Sequence, residues 1–498
     1  MTRGVALSVI VVVLSTTARA EVSLDTISPN LPPSISIGAS LRARWEMWNW
    51  FETPQGRNND YDFVGTVLRT SARWKGDWAD VFVEGQSSGL IDLPTTASPP
   101  SSPAPQANLG LGGVYFQTNR QRNDASVFLK QGFVNWKQFG IAGLSARGGR
   151  FEFAEGNEVL SGDASVDWIK NLRLSQRLIG GFGWSHVGRA FDGVAAAYNR
   201  SPFNVTMMLS HPTAGGFDLN GMHELDDVDL AYTAATWTKL RAASTSDARL
   251  FYVYYDDRRH QTKTDNRPAG ARNANAERQA EVQIHTIGAH AVHVIPTAAG
   301  SFDGYLWGVG QFGDWGVLNH AAWAWSSEVG WQPPSLPWKP WLRAGYARSS
   351  GDDDSNDGTH HTFFQILPTA RLYSFSTFYN LMNTEDASVE LLLRPKPGLI
   401  SRTEFHNLRL TEANDLWYQG SGATIGDRNR AEGFGYTGRP GNGFRELFAV
   451  LQTSLSYDWS AFVNTNIYYA HVFGGEVVQK IFASDEGDFG YIEIMLKI

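Results

Sequence analysis

Residues 35–50 read ISIGASLRARWEMWNW, and the two alternate sets of side chains in that run have opposite character. Ile35, Ile37, Ala39, Leu41, Ala43, Trp45 and Met47 form one set; Ser36, Gly38, Ser40, Arg42, Arg44 and Glu46 form the other, with Ser34 ahead of them. A period of two belongs to a β-strand, whose successive side chains point to opposite faces. One face here suits lipid and the other suits water, as in a strand of a transmembrane barrel.

Working outward, similar runs of about ten residues recur to the C-terminus, joined alternately by a very short turn and a long polar loop. The pattern predicts strands at 35–50, 62–74, 78–86, 125–136, 143–153, 190–198, 202–210, 228–238, 246–255, 282–293, 301–312, 320–331, 341–350, 387–394, 399–411, 446–457, 461–473 and 487–498. Tight turns fall at Lys75-Gly76-Asp77, Asn199-Arg200-Ser201, Pro395-Lys396-Pro397-Gly398 and Asp458-Trp459-Ser460, whereas 87–124, 154–189, 256–281, 351–386 and 412–445 are long inserts. The expected fold is all-β: an antiparallel up-and-down transmembrane barrel of about 18 strands with both ends on the tight-turn, periplasmic side. Barrels of about 16 to 18 strands are wide enough for an aqueous channel.

The first twenty residues read as a secretory signal: Arg3, an apolar run from Val5 to Leu14, then Ala18-Arg19-Ala20 as a cleavage site. The run is too short to span roughly 30 Å of hydrocarbon as a helix. Residues 21–34 form a periplasmic N-terminal segment and 35–498 the barrel, placed in the outer membrane of a Gram-negative cell. With no cysteine, stability rests on backbone pairing and packing rather than disulfides. Eighteen Trp, 17 Tyr and 28 Phe fit interfacial girdles facing the outer-membrane lipids; a soluble sugar-binding β protein with aromatic platforms is the alternative. The formal charge of −8 argues against a nucleic-acid partner.

Alternation also assigns the lumen. Arg42, Arg44 and Glu46 face inward from the first strand; Arg69, Ser71 and Arg73 from the second; Asp80, Glu84 and Gln86 from the third. Ser388, Glu390 and Arg394 face inward near the C-terminal end, as do Arg402, Glu404 and His406, although Ile400 and Leu408 share that last phase. Tyr491, Glu493 and Lys497 do so in the final strand. The strands at 125–136, 143–153, 190–198 and 341–350 give no clean phase; Lys130, Arg150 and Arg343 are placed in the pore with them. A pore lined with Arg and Lys favours anions. The alternative is a neutral ladder in which Glu46, Glu84, Glu390 and Glu404 cancel those bases.

Several segments resemble the alginate export family, whose members form outer-membrane barrels for an anionic polysaccharide. They are Gly149-Arg150-Phe151-Glu152, Trp184 to Val194 (WSHVGRAFDGV), Ser350 to Pro368 (SGDDDSNDGTHHTFFQILP), Arg402 to Leu410 (RTEFHNLRL), Asp415-Leu416-Trp417-Tyr418 and Phe434 to Pro440 (FGYTGRP). The resemblance implies a basic conduit with Arg42, Arg44, Arg69, Lys130, Arg150 and Arg402 as lumenal bases and Asp192 and Glu152 as acidic companions. Two departures stand out: the chain ends in Ile498 rather than an aromatic residue, and the turn at 458–460 is too short to be the plugging loop of the characterised exporter.

Other chemistry is weakly signalled. Gly85-Gln86-Ser87-Ser88-Gly89 matches the nucleophile-elbow pattern, but a Pro- and Ser-rich loop follows instead of a helix. His290 and His293, three apart in a strand, point to opposite faces and do not share a metal. Asp352, Asp354 and Asn356 offer oxygen ligands to Ca²⁺, yet Gly358 falls one place late and Phe363 stands where the bidentate acid belongs, so a solvated loop tip is the better reading. No cofactor motif is legible. The expectation is a monomeric, non-enzymatic channel passing an anionic polysaccharide or a small anionic solute, with periplasmic export machinery as a further partner. Arg42, Arg150 and Arg402 carry selectivity at a constriction narrowed by residues 154–189. The alternatives are an uptake porin for small carboxylates and an enzyme or adhesion barrel acting through its loops.

Overall fold

The structure, a computed structural model, describes residue 32 and residues 34–98, 107–137, 140–238, 245–369, 378–419 and 438–498. The expected signal segment 1–20, most of 21–34 and Phe434 to Thr437 of the FGYTGRP motif lie outside the described residues. Eighteen antiparallel strands make one closed cylinder. They are β1 (Ile35–Asn49), β2 (Asp60–Lys75), β3 (Ala79–Ile91), β4 (Asp124–Trp136), β5 (Leu144–Phe151) and β6 (Phe191–Arg200). Next come β7 (Phe203–Pro212), β8 (Val228–Thr238), β9 (Thr245–Asp257), β10 (Val282–Thr297), β11 (Gly300–Trp315) and β12 (Leu318–Gln332). The cylinder is completed by β13 (Trp341–Ser349), β14 (Thr384–Lys396), β15 (Leu399–Leu410), β16 (Glu446–Asp458), β17 (Val463–Gly474) and β18 (Glu486–Lys497).

Each strand pairs with the next in sequence, and β18 closes the ring on β1 from Asp488↔Asn49 to Lys497↔Ser40. Ala39 and Ile498 exchange backbone N–H···O bonds of 2.9 and 2.8 Å. The last residue thus completes the seam through its backbone, without an aromatic side chain. β10, β11 and β12 run past their expected ends, and the outer connection between the last two shrinks to Gly316-Val317. β3 also continues to Ile91, so Gly85 to Gly89 lie within a strand and Ser87 stands on no strand-to-helix turn.

Burial follows the alternation. In β1, Arg42, Arg44, Glu46 and Trp48 are buried between half-exposed neighbours. Large apolar side chains on the other phase stay uncovered, Val127, Val329 and Leu209 being 81%, 67% and 61% exposed, as an outer surface made for lipid requires. The muddled phase of β4 has a structural cause. Glu84 pairs with Gln131 and Gly85 with Leu129, leaving Lys130 as the extra residue of a β-bulge. Lys130 and Gln131 are therefore both buried, and the alternation changes phase between them. His290 is buried and bonded to Asp247, whereas His293 meets Ser246 on the other face.

Because Leu306 sits near the middle of β11 and is 58% exposed on the lipid face, Leu306→Arg should destabilise the barrel by about 2–4 kcal/mol in bilayer unfolding titrations. Leu306→Ala should change it far less.

Candidate constriction and lumenal charge network

Residues 152–190, the connection from β5 to β6, turn into the cylinder and cross it as a strap. A short helix, α1 (Ala164–Ile169), starts where the Asp163 carboxylate accepts from the backbone N–H groups of Ser165 and Val166 at 2.9 and 3.0 Å. It runs on as a π-helical turn, Lys170–Leu174. Lys170 and Arg173 lie three residues apart on this turn, and Arg177 follows just past its end, after an extended Ser175 and a left-handed Gln176.

Each of these bases meets the wall. Lys170 donates to Asp247 at 2.7 Å, and the other oxygen of that carboxylate meets His290 at 3.0 Å. Arg173 donates to Glu328 and to Glu404, at 2.8 and 3.0 Å. Arg177 reaches the Tyr305 hydroxyl at 2.9 Å. From the wall, Arg249 returns the contact to Glu155 and Glu158 of the strap at 2.8 and 3.0 Å.

The later part of the strap is held differently, by its backbone. Arg42 donates to the carbonyls of Gly183 and Ser185 at 2.7 and 2.5 Å, and Arg44 to that of Trp184 at 3.0 Å. Ser88 donates to the His186 carbonyl at 2.7 Å, Gln86 to that of Val187 at 2.9 Å, and Lys130 to that of Arg189 at 3.0 Å. The physical logic is complementary. Carbonyls only accept, so the β1–β4 wall facing them supplies donors; the helical turn carries cations, so the β9–β15 wall facing it supplies carboxylates.

Charges taken out of water need partners, and here they alternate. Arg343 bonds Asp303 at 2.5 Å and Glu328 at 3.1 Å; Arg402 bonds Glu390 at 2.8 Å and Glu404 at 2.7 Å; Arg173 joins the two halves through Glu328 and Glu404. Arg44 pairs with Glu493 and Glu46, and Arg69 with Glu84 at 3.4 Å and Glu152 at 3.1 Å. Lys130 meets Glu152 at 3.5 Å.

Three inward guanidinium groups are built otherwise. Arg147 lies 4.4 Å from the Phe133 ring, Arg73 lies 5.1 Å from Phe82, and the two rings touch each other at 5.3 Å. Arg394 sits 5.5 Å from the Trp341 ring. Among the described residues, neither Arg147 nor Arg394 has a carboxylate within ion-pair distance. All three lie toward the tight-turn rim, on the periplasmic side of the strap.

Arg150 and Asp192 do not belong to the lumen, contrary to their expected place. They face each other across β5 and β6 on the phase that carries Val194, 56% exposed, while Phe151 and Phe191 on the opposite phase are buried inside. Their ion pair lies on the outer wall, where Arg150 also donates to the Met222 carbonyl at 2.8 Å. β5 stops at Phe151, eight residues long, and a loop carbonyl beside that shortened wall needs a donor. In the acidic loop, Asp352 and Asp354 accept from the backbone N–H groups of Asp354 and Asn356 at 3.2 and 3.0 Å. Missed from sequence were Lys170, Arg173, Arg177, Asp247, Arg249 and Glu328; the run of bases Lys170, Arg173 and Arg177 within one long insert was the readable signal.

His186 lies flat against the wall because Gly65 has no side chain: a Cβ there would come within 2.2 Å of the imidazole. Its ring meets Glu46 at 3.2 Å, and its backbone N–H donates to Tyr115 at 2.9 Å. Burial, with Arg44 and Arg42 close by and against the pull of Glu46, lowers its pKa from 6.5 to about 4.

A family model described as alginate export matches residues 34–490. Among solved structures, a BenF-like porin from Pseudomonas fluorescens Pf-5 superposes with a TM-score of 0.56 at 10% identity, over 93% of this chain and 98% of that one. OccAB1 of Acinetobacter baumannii gives 0.54 at 12% identity, over 93% and 96%. OpdK of Pseudomonas aeruginosa, solved with vanillate, gives 0.52 at 10% identity, over 93% and 98%. These likenesses are of fold. No curated protein sequence matches.

Arg173→Met removes the cation that Glu328 and Glu404 share, while Arg343 and Arg402 still hold one each, a loss of about 1.5–3 kcal/mol. Amide hydrogen exchange over 164–178 should accelerate at least about tenfold, and unchanged exchange would show the clasp to be idle. The depressed His186 pKa means that the released strap takes up a proton more readily than the seated one. Seating is therefore complete above about pH 6.5 and weakens as pH falls toward about 4. Exchange at 182–189 should follow that window, and His186→Gln should flatten it.

Proposed function

This chain belongs to the alginate export family, and from that membership we propose that its outer-membrane channel passes a carboxylate-bearing polysaccharide outward through the lumen. The observation that supports the reading is the placing of cations without carboxylates, Arg147 and Arg394, on the periplasmic side of the strap. Below that point an entering polyanion meets guanidinium groups whose charge is not already cancelled; in the strap network Arg173, Arg343 and Arg402 are each matched by carboxylates. Arg147, stacked on the Phe133 ring, presents a flat cationic face along the entry. A stacked arginine keeps N–H edges available for carboxylates. Arg42, held mostly by carbonyls, adds positive charge at the strap itself.

The conduit carries out no chemical step. The solute moves down its gradient or is driven by an export machine in the periplasm, with selectivity supplied by the field of the lumen. Import of small carboxylates is the second reading, and the fold shared with a porin solved with vanillate is what favours it.

Planar-bilayer recordings distinguish these readings. The wild-type pore should prefer anions, Arg147→Ser with Arg394→Ser should move the reversal potential toward cations, and Arg150→Ser should leave it in place. A wild-type pore without anion preference, or an unaltered potential in the double variant, would reject the proposal. Oligouronates added on the periplasmic side should block at lower concentration than monocarboxylates; the reverse order would select the uptake reading.

A further inference from the structure

On the lipid-facing wall of β13–β16, one row of paired residues runs Arg348↔Glu385↔Arg409↔Glu446, with Arg445 beside it. The row lies at the ends of these strands next to the long loops, the level at which an outer-membrane barrel meets lipid headgroups on the cell exterior. Arg348 and Arg445 share Glu385, at 3.2 and 2.7 Å, and Arg409 pairs with Glu446 at 2.9 Å. Three guanidinium groups thus share two carboxylates. They are 38%, 39% and 44% exposed, so much of their donor capacity faces outward. Arg348 also lies 5.7 Å from the ring of Trp323, an exposed side chain of the same outer surface.

Directly toward the membrane middle β11–β16 form a concave groove of about 540 Å³. Phe302, Val329, Leu342, Val389, Phe405 and Leu451 line it, all apolar and all exposed. It hollows where Ala344 and Thr403 replace larger side chains between these walls. Ala344, Val389 and Phe405 each sit four residues below Arg348, Glu385 and Arg409 on their own strands, about 13 Å at roughly 3.3 Å per residue. Tyr346 and Asn407, on the same outward phase, stand between the two levels.

We propose that this face holds one phosphorylated lipid of the outer leaflet, its phosphate on Arg348, Arg409 and Arg445 and an acyl chain in the groove. The chemistry is specific at both ends. Guanidinium forks match phosphate oxygens, and basic residues at the membrane surface bind anionic headgroups, whereas a groove whose outward side chains are apolar apart from Thr403 suits hydrocarbon; Arg343, Glu390 and Glu404, also at its lining, turn their charged ends to the lumenal network. Along strands tilted by about 40°, the roughly 13 Å offset is about 10 Å of depth, which places the groove among the acyl chains of a leaflet about 15 Å deep. The assignment is independent of what passes through the lumen.

Native mass spectrometry of the full chain in detergent, titrated with diphosphoryl lipid A, tests it. The wild type should keep one lipid. Arg348→Gln, Arg409→Gln and Arg445→Gln together should weaken retention at least about tenfold, with the barrel still folded by its heat-shifted gel mobility. Should the triple variant misfold, Arg409→Gln alone, at an exposed pair, should weaken it several-fold. Ala344→Phe should weaken it by filling the groove. Equal retention by the arginine variants, equal binding of phosphate-free lipid A, or displacement of the lipid by millimolar inorganic phosphate would each overturn the assignment.

Discussion

A sheet in lipid has no water to satisfy the backbone groups along its edges, so its first strand must find its last. The seam between β1 and β18, completed by Ala39 and Ile498, meets that demand. Once the ring is closed, alternation sends every second side chain to the bilayer and the rest to the interior. Two of the places where the wall departs from regularity are repaired by polar contacts. The bulge at Lys130 turns an extra cation inward to a strap carbonyl, and above shortened β5 the loop carbonyls of Met222 and Leu219 accept from Arg150 and Ser126.

Closure also creates the problem that the strap answers. A wide cylinder encloses charged side chains from many strands, and a charge excluded from water costs several kcal/mol unless paired. Residues 152–190 bring carbonyls to one arc of wall and cations to the other, so the fold-in satisfies both. Nearer the outer mouth the packing becomes aromatic: Trp50 stacks on Phe378 at 4.7 Å, and Arg439 lies 5.5 and 4.7 Å from the rings of Trp50 and Trp417. Toward the periplasm Arg147 and Arg394 sit against aromatic rings instead of carboxylates.

The strand pattern was legible because lipid on one side and a wetted, charged interior on the other impose a hard two-residue contrast, as in β1, β2 and β18. It blurred where another force outweighed that contrast. In β4 a bulge breaks the count; in β9 the inward phase mixes Asp247 and Arg249 with Phe251, Val253 and Tyr255, because strap and loops, not water, cover that face. Arg150 and Asp192 were misread for a related reason. A charge on the outer phase violates the lipid rule unless something nearby needs it, and the Met222 carbonyl that does is seventy-two residues away in sequence.

By itself, then, the chain of residues determined a closed barrel, its strand order, most of its inward and outward faces and the positions of its turns, since all of these follow from local alternation and backbone pairing. Which lumenal charges are cancelled was decided only in three dimensions. Arg173 meets Glu328 and Glu404 across 155 and 231 residues of chain, and only the ring, by bringing those strands around the strap, makes them neighbours.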